Sequence, residues 1–209
     1  MNMTIIGASD SFARGLAEWA VASGHHVTVV GFNRSQAETL VTTIRGAKPS
    51  DPSDPLVDHV VLLAMPYDCV LDAWGFYGRQ LDGKIVVDVT TPIDRDRFEP
   101  IHPEAGSVAQ EIAAGKPAAR IVKVFHPAFA GPPIIDGATA VERNEVFVAS
   151  DDVEAKRVVA QLFAAGGLHP IDLGPLRRAR EMEAAGYLEA ARRASIASGP
   201  ATGRTRVAS

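Results

Sequence analysis

The 209-residue chain has one cysteine, Cys69, so it cannot close an internal disulfide, which fits a reducing compartment. It has no apolar run near the roughly 20 residues that cross a bilayer as a helix. Lys and Arg total 21 against 25 Asp and Glu, a formal charge of -4, and no block of five basic residues occurs. That argues against nucleic acid and the membrane surface as partners and favours a small molecule. Aromatics are sparse at 6%, but 46% hydrophobic and 22% charged residues describe an ordinary globular protein rather than a disordered one. The start, Met1-Asn2-Met3-Thr4, runs straight into an apolar strand and reads as cytoplasmic rather than exported.

The pattern along the chain alternates strand and helix. Met3 to Gly7 is a short apolar run ending in a turn, and Leu16, Ala17, Ala20 and Val21 then recur at helical spacing. Gly24-His25-His26 stops that helix. Val27 to Val30 is a β-branched strand, and Ser35 is the expected N-cap of a helix to about Arg45. The stretch Gly46 to Pro55, with three prolines and two aspartates, reads as a surface loop.

Further strands are expected at His59–Ala64, Ile85–Val87, Ile121–Phe125, Val146–Val148 and Leu168–Leu173. Helices are expected at Ser107–Ala114, at Asp152–Ala165 and from Pro175 onward. Continuously apolar strands separated by helices predict an α/β protein of Rossmann type, a doubly wound and mainly parallel sheet with a small C-terminal extension. Residues 1–197 are expected to form one such domain with a C-terminal helix. The Gly-, Pro- and Ser-containing segment 198–209 reads as a disordered tail. The loop from His126 to Gly137 is long enough to be a candidate wall of a binding site.

In such a sheet the first strand-to-helix turn holds a pyrophosphate through backbone N–H groups at the helix N-terminus. Here that turn is Gly7-Ala8-Ser9-Asp10-Ser11-Phe12-Ala13, which lacks the G-x-G-x-x-G spacing and by itself leaves dinucleotide binding an even question. After the second strand, Gly31-Phe32-Asn33-Arg34 has no acid for ribose hydroxyls but does have a guanidinium suited to a phosphate. This favours NADP(H) over NAD, the alternative being that Arg34 is a solvated helix-start residue.

Longer segments carry a resemblance over nearly all of residues 1–190. They are Met3 to Ala8, Leu62-Leu63-Ala64-Met65-Pro66-Tyr67, Leu81 to Ile93 with Asp88-Val89-Thr90-Thr91-Pro92, Ile121 to Phe125, and Asp172 to Glu183. In this order and spacing the chain resembles the NADP-dependent reductases of the deazaflavin coenzyme F420. The resemblance implies an oxidoreductase that passes hydride between NADP(H) and a deazaflavin or flavin-like acceptor, with F420 the first candidate, acting largely by positioning.

By matching positions, Gly7, Ser9, Asp10, Ser11 and Phe12 would line the pyrophosphate. Asn33 and Arg34 would take the ribose phosphate, and Ala64, Met65 and Pro66 the adenosine side. Thr90, Pro92, His126 and Ala130 would lie nearer the nicotinamide. A homodimer through the last helix is the family expectation.

The sequence departs from the family's Gly-Ala-Thr-Gly-x-x-Gly loop at Asp10 and Ala13. A carboxylate about 4 Å from a pyrophosphate charge, at an effective dielectric near 20, would cost roughly 4 kcal/mol. Asp10 therefore either turns away to cap the helix or weakens binding severely. The second reading makes the chain a non-catalytic dinucleotide-binding protein.

A further alternative is an NADP-dependent reductase of a small carbonyl or imine, with His126 as the catalytic proton donor. His126 could equally serve only to satisfy backbone groups. No metal site is expected, since His25 and His26 lack ligands at suitable spacing, and Cys69 reads as a small hydrophobe. The five arginines of the last helix, interleaved with Glu181, Glu183 and Glu189, read as a solvated helix or dimer face.

Overall fold

A computed structural model describes residues 1–7, 11–94, 96–115, 118–127 and 144–197, with the backbone alone at 11, 12 and 197. Strands β1 (Asn2–Ile6), β2 (His26–Val30), β3 (Lys48–Ser50), β4 (Val60–Leu63), β5 (Ile85–Asp88), β8 (Arg120–Phe125), β9 (Glu145–Ala149) and β10 (His169–Asp172) form one sheet. Its order is β10-β9-β8-β5-β4-β1-β2-β3. The two-residue strands β6 (Ile93–Asp94) and β7 (Glu99–Pro100) pair separately beyond the end of β5.

The six strands from β3 to β8 are parallel, and β9 runs antiparallel to β8. The chain order reverses direction between β1 and β4, the switch point where ligands bind in such sheets. The expected α/β Rossmann-type, mainly parallel fold is the one observed.

Alternation of side chains explains why the central strands are apolar throughout. Ile5, Val29, Val60, Leu62, Val122 and Val124 face a layer built from helices α1 (Ser11–Ala22) and α5 (Val153–Ala165). Ile6, Val30, Val61, Leu63, Val86 and Ile121 face the opposite layer, which includes α3 (Tyr67–Tyr77) and α4 (Val108–Gly115). The last helix, α6 (Ala179–Ala197), contacts β8 and α4.

Three expectations need correction. The segment read as a surface loop from Gly46 contains β3, paired with β2 in the register Val29↔Pro49. Pro49 is tolerated because β3 is an edge strand with one side unpaired. The N-cap of α2 (Arg34–Thr43) is Asn33, not Ser35: the Asn33 backbone is extended and its side chain accepts from Gln36 N–H. Pro175 stands before a short 3-10 turn (Leu176–Arg178) rather than at the first position of the last helix. The tail beyond 197 lies outside the described residues.

Candidate functional site

The turn after β1 is held by backbone geometry. Gly7 has φ +112°, and its N–H donates to the Val30 carbonyl at 3.0 Å. A Cβ there would stand 2.2 Å from the Ala64 carbonyl oxygen, so only glycine lets β1 turn this close to β4. Ala64 N–H donates to the Ile6 carbonyl at 2.8 Å, tying the two strand ends together.

A cavity of about 330 Å³ opens at this switch point. Ile6 and Gly7 of the first turn line it with Gly31 and Phe32 after β2 and Met65 after β4. One wall is α3, through Cys69, Asp72, Ala73, Phe76 and Tyr77, and Pro52 contributes from beyond β3. Phe32 and Phe76 are exposed, at 54% and 61%, so the cleft has aromatic surface available to a flat ring.

Of the residues expected at the site, Gly7 and Met65 lie in this cleft, and Ala64 is buried beside it. Pro66 precedes α3, and its carbonyl accepts from Cys69 and Val70 N–H. Asn33 and Arg34 follow the cleft residue Phe32 directly. The Arg34 guanidinium meets Glu38 at 2.9 Å with both side chains more than half exposed, and that partner, with Asp54 and Asp51 contributing less, holds it above its ordinary pKa. An exposed i,i+4 pair of this kind is weak and is readily exchanged for another anion.

Ser11 and Phe12 begin α1, but their side chains, like all of Ser9, Asp10 and Ala130, lie outside the described residues. Most of the loop from His126 to Gly137 does so as well.

At the far side of the same sheet edge stand Thr90, Pro92 and His126, all buried. The Thr90 N–H donates to Asp88 Oδ1 at 2.8 Å, whereas Thr90 Oγ1 is buried and has no hydrogen-bond partner among the described residues. His126 follows β8 directly, and the next carbonyl, Pro127, accepts from Arg193 Nη2 at 2.8 Å.

Sequence reading missed the charged group beneath this edge. Lys123 Nζ lies 2.8 Å from Asp88 Oδ2 and 3.0 Å from Glu183 Oε1, and donates to the Thr90 carbonyl. Glu183 also accepts from Val108 N–H, the first residue of α4. Burial works against the Lys123 ammonium, but the two carboxylates outweigh it and hold its pKa above the ordinary value. Burial, with a smaller push from Asp88, leaves the Glu183 carboxyl above its usual range despite the ammonium.

Glu183 and Arg193 are therefore not on a solvated face as expected; they are 5% and 9% exposed. The available signal was a lysine inside an apolar strand, Ile121-Val122-Lys123-Val124, for which burial demands a counter-charge.

Residues 2–92 match the family described as NADP oxidoreductase, coenzyme F420-dependent. The match covers the first part of the chain, a little under half of its length. Among curated relatives, the metalloreductase STEAP3 of Rattus norvegicus is 31% identical over 86% of this chain. The F420-dependent NADP reductase of Methanocaldococcus jannaschii is 28% identical over 60% of it. The chain spans 35% of the first relative's length and 57% of the second's. A solved structure of a putative F420-dependent NADP reductase from Arthrobacter superposes with a TM-score of 0.76 at 24% identity, covering 94% of each chain, and shares the fold.

Proposed function

We propose that this chain is an NADP-dependent oxidoreductase module that transfers hydride between NADP(H) and a deazaflavin or flavin-like acceptor. The observation that carries the reading is the apolar cleft at the switch point, where Gly7, Gly31, Phe32 and Met65 converge from three strands. An adenine ring fits this lining. Arg34, next in the chain after Asn33, can exchange Glu38 for a ribose phosphate.

The other half of the nucleotide would extend along the strand ends toward Thr90. There the buried Thr90 hydroxyl, without a partner among the described residues, offers a hydrogen bond to a ligand. The bound nucleotide supplies the hydride; the chain binds, orients and excludes water. If the acceptor is instead a carbonyl or imine, His126, which directly follows β8, is the candidate to donate the accompanying proton.

The test is isotopic. With NADPH carrying deuterium at the nicotinamide C4, purified protein and, in separate reactions, F420, a flavin and a cyclic imine, the label should appear at the C5 carbon of reduced F420, or the flavin should bleach as NADPH is consumed, since deuterium on the flavin N5 exchanges with water. Label in the imine product alone would select the His126 alternative. No transfer to any acceptor, with NADPH unconsumed, would leave only a binding protein.

A further inference from the structure

Below the Thr90 turn lies a cluster that no step of hydride transfer uses directly. Two carboxylates and one ammonium, all at most 5% exposed, come from β5, β8 and α6. Burying charge is expensive unless every member is satisfied, and a hydrocarbon core of equal volume would generally be as stable or more so. The arrangement therefore calls for a role beyond holding the fold together.

Its geometry supplies one. Asp88 uses one oxygen for Lys123 and the other for the Thr90 N–H, while Lys123 takes the Thr90 carbonyl. The two polar groups of this single residue's backbone are thus gripped by one ion pair. Glu183 carries the grip to α6 and to the N-terminus of α4. One turn further along α6, a Cβ on Gly186 would stand 2.5 Å from Thr91 Oγ1, so the helix backbone itself presses on the same turn.

We infer that Lys123 is a positioning residue: with Asp88 it clamps the Thr90 backbone, holding the Thr90 hydroxyl, which has no partner among the described residues, where the nicotinamide half of a bound nucleotide completes it. Glu183 makes that position depend on the seating of α6. The inference rests on the proposed reading of the site as one for NADP(H).

The test compares NADPH with 2′,5′-ADP, which has the adenosine half and its phosphate but no nicotinamide. Affinities are measured by titration for the wild type, Thr90→Ser, Thr90→Val and the triple variant Asp88→Asn, Lys123→Met, Glu183→Gln. The triple variant removes all three charges together, so no lone buried ion is left to unfold the protein. The amide introduced by Asp88→Asn would keep an acceptor for the Thr90 N–H; the hold on the Thr90 carbonyl is lost.

Thr90→Val and the triple variant should bind NADPH roughly three- to tenfold more weakly, the weight of one hydrogen bond, and Thr90→Ser should restore the wild-type value. Affinity for 2′,5′-ADP should stay unchanged in all of them. Bound NADPH should also lose the fluorescence change that reports an immobilised nicotinamide. A purely structural cluster would alter both ligands equally or neither, and that result would overturn the inference. Failure of the wild type to bind either ligand would instead remove the nucleotide reading itself.

Discussion

Single residues here are decided by what surrounds them rather than by their type. His25 and His26 are adjacent, yet His26 is exposed at the start of β2 and His25 is buried with Nε2 3.3 Å from the Leu162 carbonyl. Burial, only partly offset by that carbonyl, holds the His25 pKa below its ordinary value. The folded state therefore prefers the neutral ring, and its contribution is complete above the unfolded value of about 6.5 and lost as pH falls from there through the lowered folded value. Urea midpoints between pH 7 and pH 5 should fall less steeply for His25→Gln than for the wild type; equal slopes would show that His25 ionises freely in the fold.

The residue scale is also where the sequence was hardest to read. Gly7 was legible because only glycine permits a left-handed turn against a neighbouring carbonyl. Glu183 was not: spacing along α6 shows alternating charge, and nothing in the pattern says that one of those acids turns inward to a lysine 60 positions away. A buried ion pair is specified by the tertiary arrangement of two elements, which local periodicity does not contain.

At the scale of elements, periodicity was the reliable guide, since strands buried on both faces must be continuously apolar and helices must show one apolar stripe. The exceptions were short. β3 holds three residues, one of them proline, and its pairing at the sheet edge left no hydrophobic signature. Caps followed the same rule: Asn33 and Ser35 are both good caps by type, and the backbone conformation chose Asn33.

Helix α5 offers the sharpest test of such local chemistry. Asp152 caps it by accepting from Ala155 N–H at 2.8 Å and forms a two-point pair with Arg120 of β8, which with the cap lowers its pKa to about 2. Asp152→Ala should cost about 1–2 kcal/mol, mostly from the cap, with Asp152→Asn recovering much of it. Chemical denaturation of the three proteins measures this. An Asp152→Ala variant as stable as the wild type would mean that the cap and the Arg120 pair contribute nothing.

At the scale of the molecule, the sheet brings together what the chain separates. Gly7, Gly31 and Met65 are far apart in sequence and meet in one cleft because β1, β2 and β4 are neighbours whose C-terminal ends coincide. The clamp on Thr90 lies along the same edge, at β5 and β8. Both groups of residues are brought to one end of the sheet by its strand order; alternating strands and helices predict a doubly wound sheet, but not that order. Among the described residues no helix is long and apolar enough to cross a membrane.

The C-terminal end of the sheet is proposed to receive NADP(H), with Arg34 taking its extra phosphate. Parallel calorimetric titrations with NADPH and NADH test it most directly. NADPH should bind with micromolar affinity and NADH at least tenfold more weakly, with Arg34→Gln abolishing the difference. Equal affinities for the two nucleotides, or no binding of either because Asp10 repels the pyrophosphate, would contradict it.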